Sequence, residues 1–246
     1  MLEIKNLTYT VTDPDTGKET KIIDNISLTV NDRFVAVTGP NGGGKSTLAK
    51  LIAGIYTPDS GEILLDGVDI TKMSITERAK AGISFAFQQP VRFKGITVRK
   101  LLNLAAGREM KDSELCDVLG NVGLCAGEYL NREVNSALSG GEIKRIEIAS
   151  VLARGTKISI FDEPEAGIDL WSFANLIKAF QSIHKDREGT LIIISHQERI
   201  LKIADEIVLL ADGKLVASGS ADEMMERVLS SGSTAFSCRK QEVQFQ

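Results

Sequence analysis

Apolar and polar positions alternate over residues 2–11 and again over 21–30, the period of half-buried strands. Between them Thr12-Asp13-Pro14-Asp15-Thr16-Gly17-Lys18-Glu19 is polar and rich in turn formers, which predicts a loop. Three more strands are read at 34–38, at Ile63-Leu64-Leu65-Asp66-Gly67 with its terminal turn, and at Ser84-Phe85-Ala86-Phe87. The pattern then changes. From Val91 to Ala137 apolar residues recur at helical spacing (Val98, Leu101, Leu102, Leu104; Leu115, Val118, Leu119, Val122), predicting a helical insert between two parts of an α/β core. A helix at 140–153, a strand at 157–161, a helix at 170–185 and a strand at 191–194 come next. Such alternation implies a parallel sheet. Glu206–Ser218 is centred on Asp212-Gly213, a hairpin signal, and 221–229 suits a final helix. Residues 230–246 are polar and are expected to be loosely held. Neither an internal repeat nor a heptad array is present.

Composition narrows the classes. A chain of 246 residues allows one large α/β domain, with at most a modest insertion. The net charge of −4, with both signs interleaved, argues against a dedicated nucleic-acid binder, which carries a basic stripe. No apolar run approaches the ~18 residues needed to span a membrane. The start, Met1-Leu2-Glu3-Ile4-Lys5-Asn6, alternates like a strand rather than a signal peptide. Cys116, Cys125 and Cys238 are odd in number and widely spaced, which predicts reduced thiols in the cytoplasm and no zinc site.

Three segments carry chemistry. Gly39-Pro40-Asn41-Gly42-Gly43-Gly44-Lys45-Ser46-Thr47 fits the phosphate-loop template, between a predicted strand and the periodic segment Leu48, Leu51, Ile52. Its glycines let backbone N–H groups converge on an anion. Lys45 is suited to the β- and γ-phosphates, and the Ser46 hydroxyl to Mg²⁺. Chance supplies such a match in on the order of 1 chain in 100 of this size. Ile158-Ser159-Ile160-Phe161-Asp162-Glu163 is a buried strand ending in two acids, at the sheet edge where ligands sit in open α/β folds. Asp162 there suits Mg²⁺, and Glu163 suits an attacking water. Leu138-Ser139-Gly140-Gly141-Glu142 opens a helix, so Ser139 is either a plain N-cap or part of a second anion site.

Together these motifs resemble the ATP-binding cassette (ABC) ATPase family, in the family's order and over essentially the whole chain. The resemblance implies one ABC ATPase domain: a P-loop α/β fold with a mixed-sheet core and an N-terminal antiparallel part. Residues 1–90 and 138–229 would form the nucleotide-binding core, 91–137 an inserted helical subdomain and 230–246 a tail. It also implies ATP hydrolysis with ATP and Mg²⁺. Tyr9 stands at the adenine-stacking position, although an aromatic there also suits a plain strand. Gln88 stands in the glutamine loop that senses Mg²⁺ and water. Asp169, in Glu165-Ala166-Gly167-Ile168-Asp169, matches the loop that crosses between protomers, and His196 the switch histidine at the γ-phosphate. A head-to-tail homodimer is implied, in which Ser139-Gly140-Gly141 of one copy closes on ATP held by the other. Gly43 in place of serine, Glu142 in place of glutamine and Ala166 in place of a small hydroxyl residue depart from the common pattern.

For the driven process, three short matches resemble the SUF-type branch, whose ATPase serves a soluble iron–sulfur cluster scaffold. They are Phe87-Gln88-Gln89-Pro90-Val91 with Gly95, Gly140-Gly141-Glu142-Ile143-Lys144-Arg145, and Ala166-Gly167-Ile168-Asp169. That reading leads. The alternative is the nucleotide-binding subunit of a membrane transporter, peripheral on the inner membrane face. A DNA-repair ATPase of the family would carry a long coiled-coil or zinc insert, and neither is seen. In either leading case the partner, scaffold or transmembrane permease, is expected against Val91, Arg92, Phe93, Lys94 and Ile96.

Overall fold

The computed structural model describes residues 1–88, 93–135, 137–186 and 189–226. The predicted tail, Cys238, Val91 and Arg92 lie outside the described residues, as do Gln89 and Pro90 of the glutamine-loop match.

Two sheets form the core. The first orders β2 (Glu19–Val30), β1 (Leu2–Thr12), β4 (Ser60–Leu65) and β5 (Val68–Asp69), all antiparallel. The second orders β10 (Lys214–Ser220), β9 (Glu206–Ala211), β3 (Phe34–Thr38), β8 (Thr190–Ile194), β7 (Ile158–Asp162) and β6 (Ile83–Ala86). In it β9, β3, β8, β7 and β6 run parallel, and β10 returns antiparallel through the Asp212-Gly213 turn. Mixed α/β architecture with an antiparallel N-terminal sheet is therefore as expected.

The apolar runs read as strands because the second sheet is covered on both faces. Period 2 divides them: Val35, Val37, Ile158, Ile160, Ile192 and Ile194 face one core cluster, Phe34, Ala36, Phe161, Leu191 and Ile193 the other. The first cluster lies between the two sheets and takes in Leu48, Leu51 and Ile52 of α1 (Lys45–Ala53). The second is covered by α3 (Val98–Ala106), α4 (Asp112–Asn121), α6 (Gly140–Arg154) and α7 (Leu170–Asp186). Each fully buried Leu, Ile or Phe here contributes roughly 1.5–3 kcal/mol, which fixes α1 and α6 against opposite faces.

Among the described residues between β6 and α6 the named elements are the helices α3, α4 and α5 (Ala126–Tyr129), with one isolated bridge, Thr97 to Glu133. Residues 221–226 are helical, within the predicted final helix. Two helices were not expected: α2 (Ile75–Ala81) and α8 (Glu198–Leu201). For the site the strand order is decisive. Parallel neighbours β3, β8, β7 and β6 end side by side, so the loops leaving these four strands line one edge.

Candidate functional site

The phosphate loop leaves the end of β3. Gly39 has φ 137°, and a Cβ there would lie 1.9 Å from the Leu210 carbonyl oxygen, so only glycine lets the loop lean on β9. Gly44 caps α1 at φ 97° and no side chain caps the helix, leaving its first N–H groups for an anion. Lys45 is buried, and its amine donates to the carbonyls of Gly39 and Pro40, both at 2.8 Å. Burial lowers its pKa, and the nearby Glu163 and Asp162 oppose that. Carbonyls hold this cation in place without neutralising it, and bare helix amides stand beside it. That combination fits a chain of phosphates.

Ser46 Oγ donates to Asp162 Oδ1 at 2.8 Å, joining the helix start to the end of β7. Asp162 is buried, and burial pushes its carboxyl up against the opposing Ser46 bond. A hydroxyl and a carboxylate are hard oxygen donors of the kind Mg²⁺ takes, with phosphate and water completing its shell. Among the described residues no cluster of three or more His, Cys, Asp or Glu could hold a metal. A phosphate-dependent cation fits this sparse set better than a protein cage does.

Glu163 adopts φ 46°, a left-handed conformation that costs roughly 1–3 kcal/mol for a residue with a side chain. Two bonds hold it there: its N–H donates to the Ile194 carbonyl and its carbonyl accepts from the Ala166 N–H, both at 3.0 Å. The turn aims the side chain at Gln88, whose Nε2 donates to Glu163 Oε2 at 2.6 Å. Thus the ends of β6 and β7 meet through two side chains predicted separately.

Beyond β8, His196 is exposed and comes directly after the buried Ser195. Ser195 Oγ donates to Glu165 Oε1 at 2.5 Å and accepts from the Gln197 N–H at 3.0 Å. Glu165 Oε2 is buried without a hydrogen-bond partner, and burial pushes this carboxyl up. Sequence reasoning missed Glu165. Its only signal was a second acid two residues beyond Glu163, which reads as a solvated loop charge. It links the Ala166–Asp169 loop to the His196 loop. Asp169 itself caps α7, accepting from Ser172 N at 3.0 Å and from Ser172 Oγ at 2.6 Å.

Ser139 caps α6 in a reciprocal box: its Oγ accepts from Glu142 N at 3.2 Å, and its N–H donates to Glu142 Oε2 at 2.7 Å. The other Glu142 oxygen accepts from the Tyr129 hydroxyl, which lowers the Glu142 pKa, and lies 3.9 Å from Arg132. Glutamate in place of the common glutamine therefore anchors the helix start to α5. Ser139 and Gly140 remain exposed. Tyr9 stacks on Tyr56, ring centroids 5.2 Å apart and planes 6° from parallel. Hence the phosphate loop, Asp162, Glu163 and Gln88 are assembled within the chain, whereas the contacts of the Ser139 corner and Tyr9 go elsewhere.

Comparison with known proteins gives one direction. The model of the family described as ABC transporter matches residues 23–166. The chain is 40% identical over 215 residues to an uncharacterized ABC transporter ATP-binding protein, MJ0035, of Methanocaldococcus jannaschii, covering 84% of this chain and 86% of the relative. It is 32% identical over 236 residues to the energy-coupling factor transporter ATP-binding protein EcfA2 of Clostridium acetobutylicum, covering 92% and 82%. In fold it is similar to the ATP-binding cassette MJ0796, solved as a dimer in a post-hydrolysis state bound to ADP and Pi. The TM-score is 0.79 at 22% identity, covering 90% of this chain and 99% of that one. These relatives carry transporter names, and the iron–sulfur assembly expectation finds no support among them.

Proposed function

The chain belongs to the ABC transporter family and is an ATPase, and from that premise we propose that it is the nucleotide-binding subunit that powers a membrane permease. The transporter names of its relatives support this reading over the scaffold reading that the short local matches favoured. Two of those matches, Gly140–Arg145 and Ala166–Asp169, lie in motifs that handle ATP and carry little about the partner. The proposed division is a core of 1–90 and 138–229, a helical subdomain of 91–137 and a tail of 230–246.

Geometry supports the roles of the phosphate loop, Asp162, Glu163 and Gln88, and the family resemblance those of His196, Tyr9, Asp169 and the Ser139 corner. The amides of Gly42, Gly43, Gly44 and the start of α1, with Lys45, bind the phosphates of ATP. Ser46 and Asp162 hold Mg²⁺, assisted by Gln88; when bound, the ion offsets charge on the β- and γ-phosphates. Glu163 takes up and orients the attacking water, and Gln88 fixes its carboxylate at 2.6 Å. His196 contacts the γ-phosphate. Tyr9, backed by Tyr56, offers its other face to adenine. Ser139, Gly140, Gly141 and Asp169 act on ATP held by a second copy, so ATP bridges a head-to-tail dimer that hydrolysis releases. The subunit works at the cytoplasmic membrane face.

The permease docks beside Gln88. Phe85, Phe87, Phe93, Leu101 and Val134 line an apolar groove of about 180 Å³, with Phe87 and Phe93 respectively 41% and 37% exposed. Half-exposed aromatics in a pocket are the anchors interfaces use. Phe93 and Lys94, named from the sequence, are exposed, and Ile96 is partly buried. The observation that carries the proposal is the pairing of Ser46 with Asp162 and of Gln88 with Glu163 along one sheet edge.

Lys45→Ala should abolish ATP binding in calorimetry, and unchanged binding would overturn the site. Purification of tagged protein from native membranes should bring down a multi-span membrane protein, and Phe93→Asp should release it. Recovery of a soluble scaffold in its place would restore the assembly reading.

A further inference from the structure

We infer that Lys144, buried, and Glu147, partly buried, an ion pair on α6, are positioning residues that hold the backbone of Phe87 and Gln88 so that the Gln88 amide reaches Glu163. Lys144 is 1% exposed. Its Nζ donates to the Phe87 carbonyl and, at 3.1 Å, to the Gln88 carbonyl. Glu147 Oε1 accepts from the Phe87 N–H at 3.1 Å, and its Oε2 lies 3.5 Å from Lys144 Nζ. Two side chains one helical turn apart thus grip three backbone groups of consecutive residues.

The grip sits where the sheet stops supplying one. The β6–β7 ladder ends at the Ala86–Phe161 pair, so Phe87 and Gln88 lie beyond it. Burial pushes the Lys144 pKa down and that of Glu147 up, each opposed by the other's charge. A largely buried pair of this kind adds little net stability over an apolar pair of equal volume, so packing alone does not explain it. What it adds is direction: two carbonyls converge on one ammonium and fix the chain from which Gln88 projects. The same helix begins at Ser139-Gly140-Gly141, and the Phe87 ring lines the proposed permease groove. Both proposed contact surfaces therefore bear on Gln88 through α6 and the clamp.

This rests on the assignment of Gln88 and Glu163 to hydrolysis, and a double-mutant cycle separates the two claims. Lys144→Met should lower kcat by about tenfold or more while KM for ATP stays within about twofold. In a Gln88→Ala background the same substitution should cost less than about twofold, because its effect runs through Gln88. Multiplicative losses, or a loss confined to KM, would overturn the clamp alone. A Gln88→Ala protein with wild-type turnover would overturn the site assignment and the clamp with it. Should Lys144→Met strand the Glu147 charge and fail to fold, Lys144→Met/Glu147→Gln removes both charges and enters the same cycle.

Discussion

Replacing Glu163 by glutamine removes one charge and almost nothing else. The side chain keeps its length and retains an amide oxygen that can accept from Gln88 Nε2. The left-handed backbone at φ 46° is held by main-chain bonds to Ile194 and Ala166, which the change leaves intact. The fold and the phosphate loop should therefore survive. Lost is the group proposed to take up the proton of the attacking water, a contribution of about 10²–10⁴ in rate. At about 1.36 kcal/mol per tenfold, that is about 3–5.5 kcal/mol of barrier. Binding should persist or tighten, because a negative charge near a polyanion is gone. Single-turnover phosphate release measures the rate, calorimetry the affinity, and size-exclusion with MgATP the dimer. Glu163→Gln protein that releases phosphate within about threefold of wild type would refute the assignment of the base.

Arg78 is 1% exposed and donates to the carbonyls of Leu51, Ile52, Thr71 and Met73, closing the C-terminus of α1. Arg78→Met should cost about 3–5 kcal/mol through buried, orphaned carbonyls. At this size that lowers Tm by roughly 6–20 °C in thermal unfolding. Glu114 is held at about 2 by Arg108 and the Lys111 amide. A depressed carboxyl stabilises the fold above its unfolded value, and the contribution is lost as pH falls through about 2. Glu114→Gln should thus show a Tm deficit at pH 6 that closes toward pH 2.

The grouping of the candidate site residues was legible because their sequence signals are local. Gly39 to Thr47 needs fixed spacing, and Asp162-Glu163 ends an apolar run that only a buried strand explains. Parallel order then carries both to one edge, as it does Gln88 and His196. The α2 helix also had a signal, Ser74 capping Glu77 and Glu77 capping Ser74, which the apolar pattern alone did not reveal. Other features had none. Lys144 and Glu147 are spaced like a solvated pair on a helix face, and only the tertiary fold buries Lys144 and brings both against the Phe87 backbone. The Tyr129–Glu142 bond and the Ser195–Glu165 bond join residues whose proximity no periodicity encodes. The iron–sulfur assembly expectation finds no support among the relatives for a related reason: the signature and crossing-loop matches are shaped by ATP and say little about a surface shaped by a partner.

A structure of the Glu163→Gln protein grown with MgATP tests the two-copy site most directly. The account predicts Ser139, Gly140 and Gly141 of one copy within about 3 Å of the γ-phosphate held by the phosphate loop of the other. A dimer whose serine–diglycine corners face away from both nucleotides, with solution scattering in agreement, would contradict it.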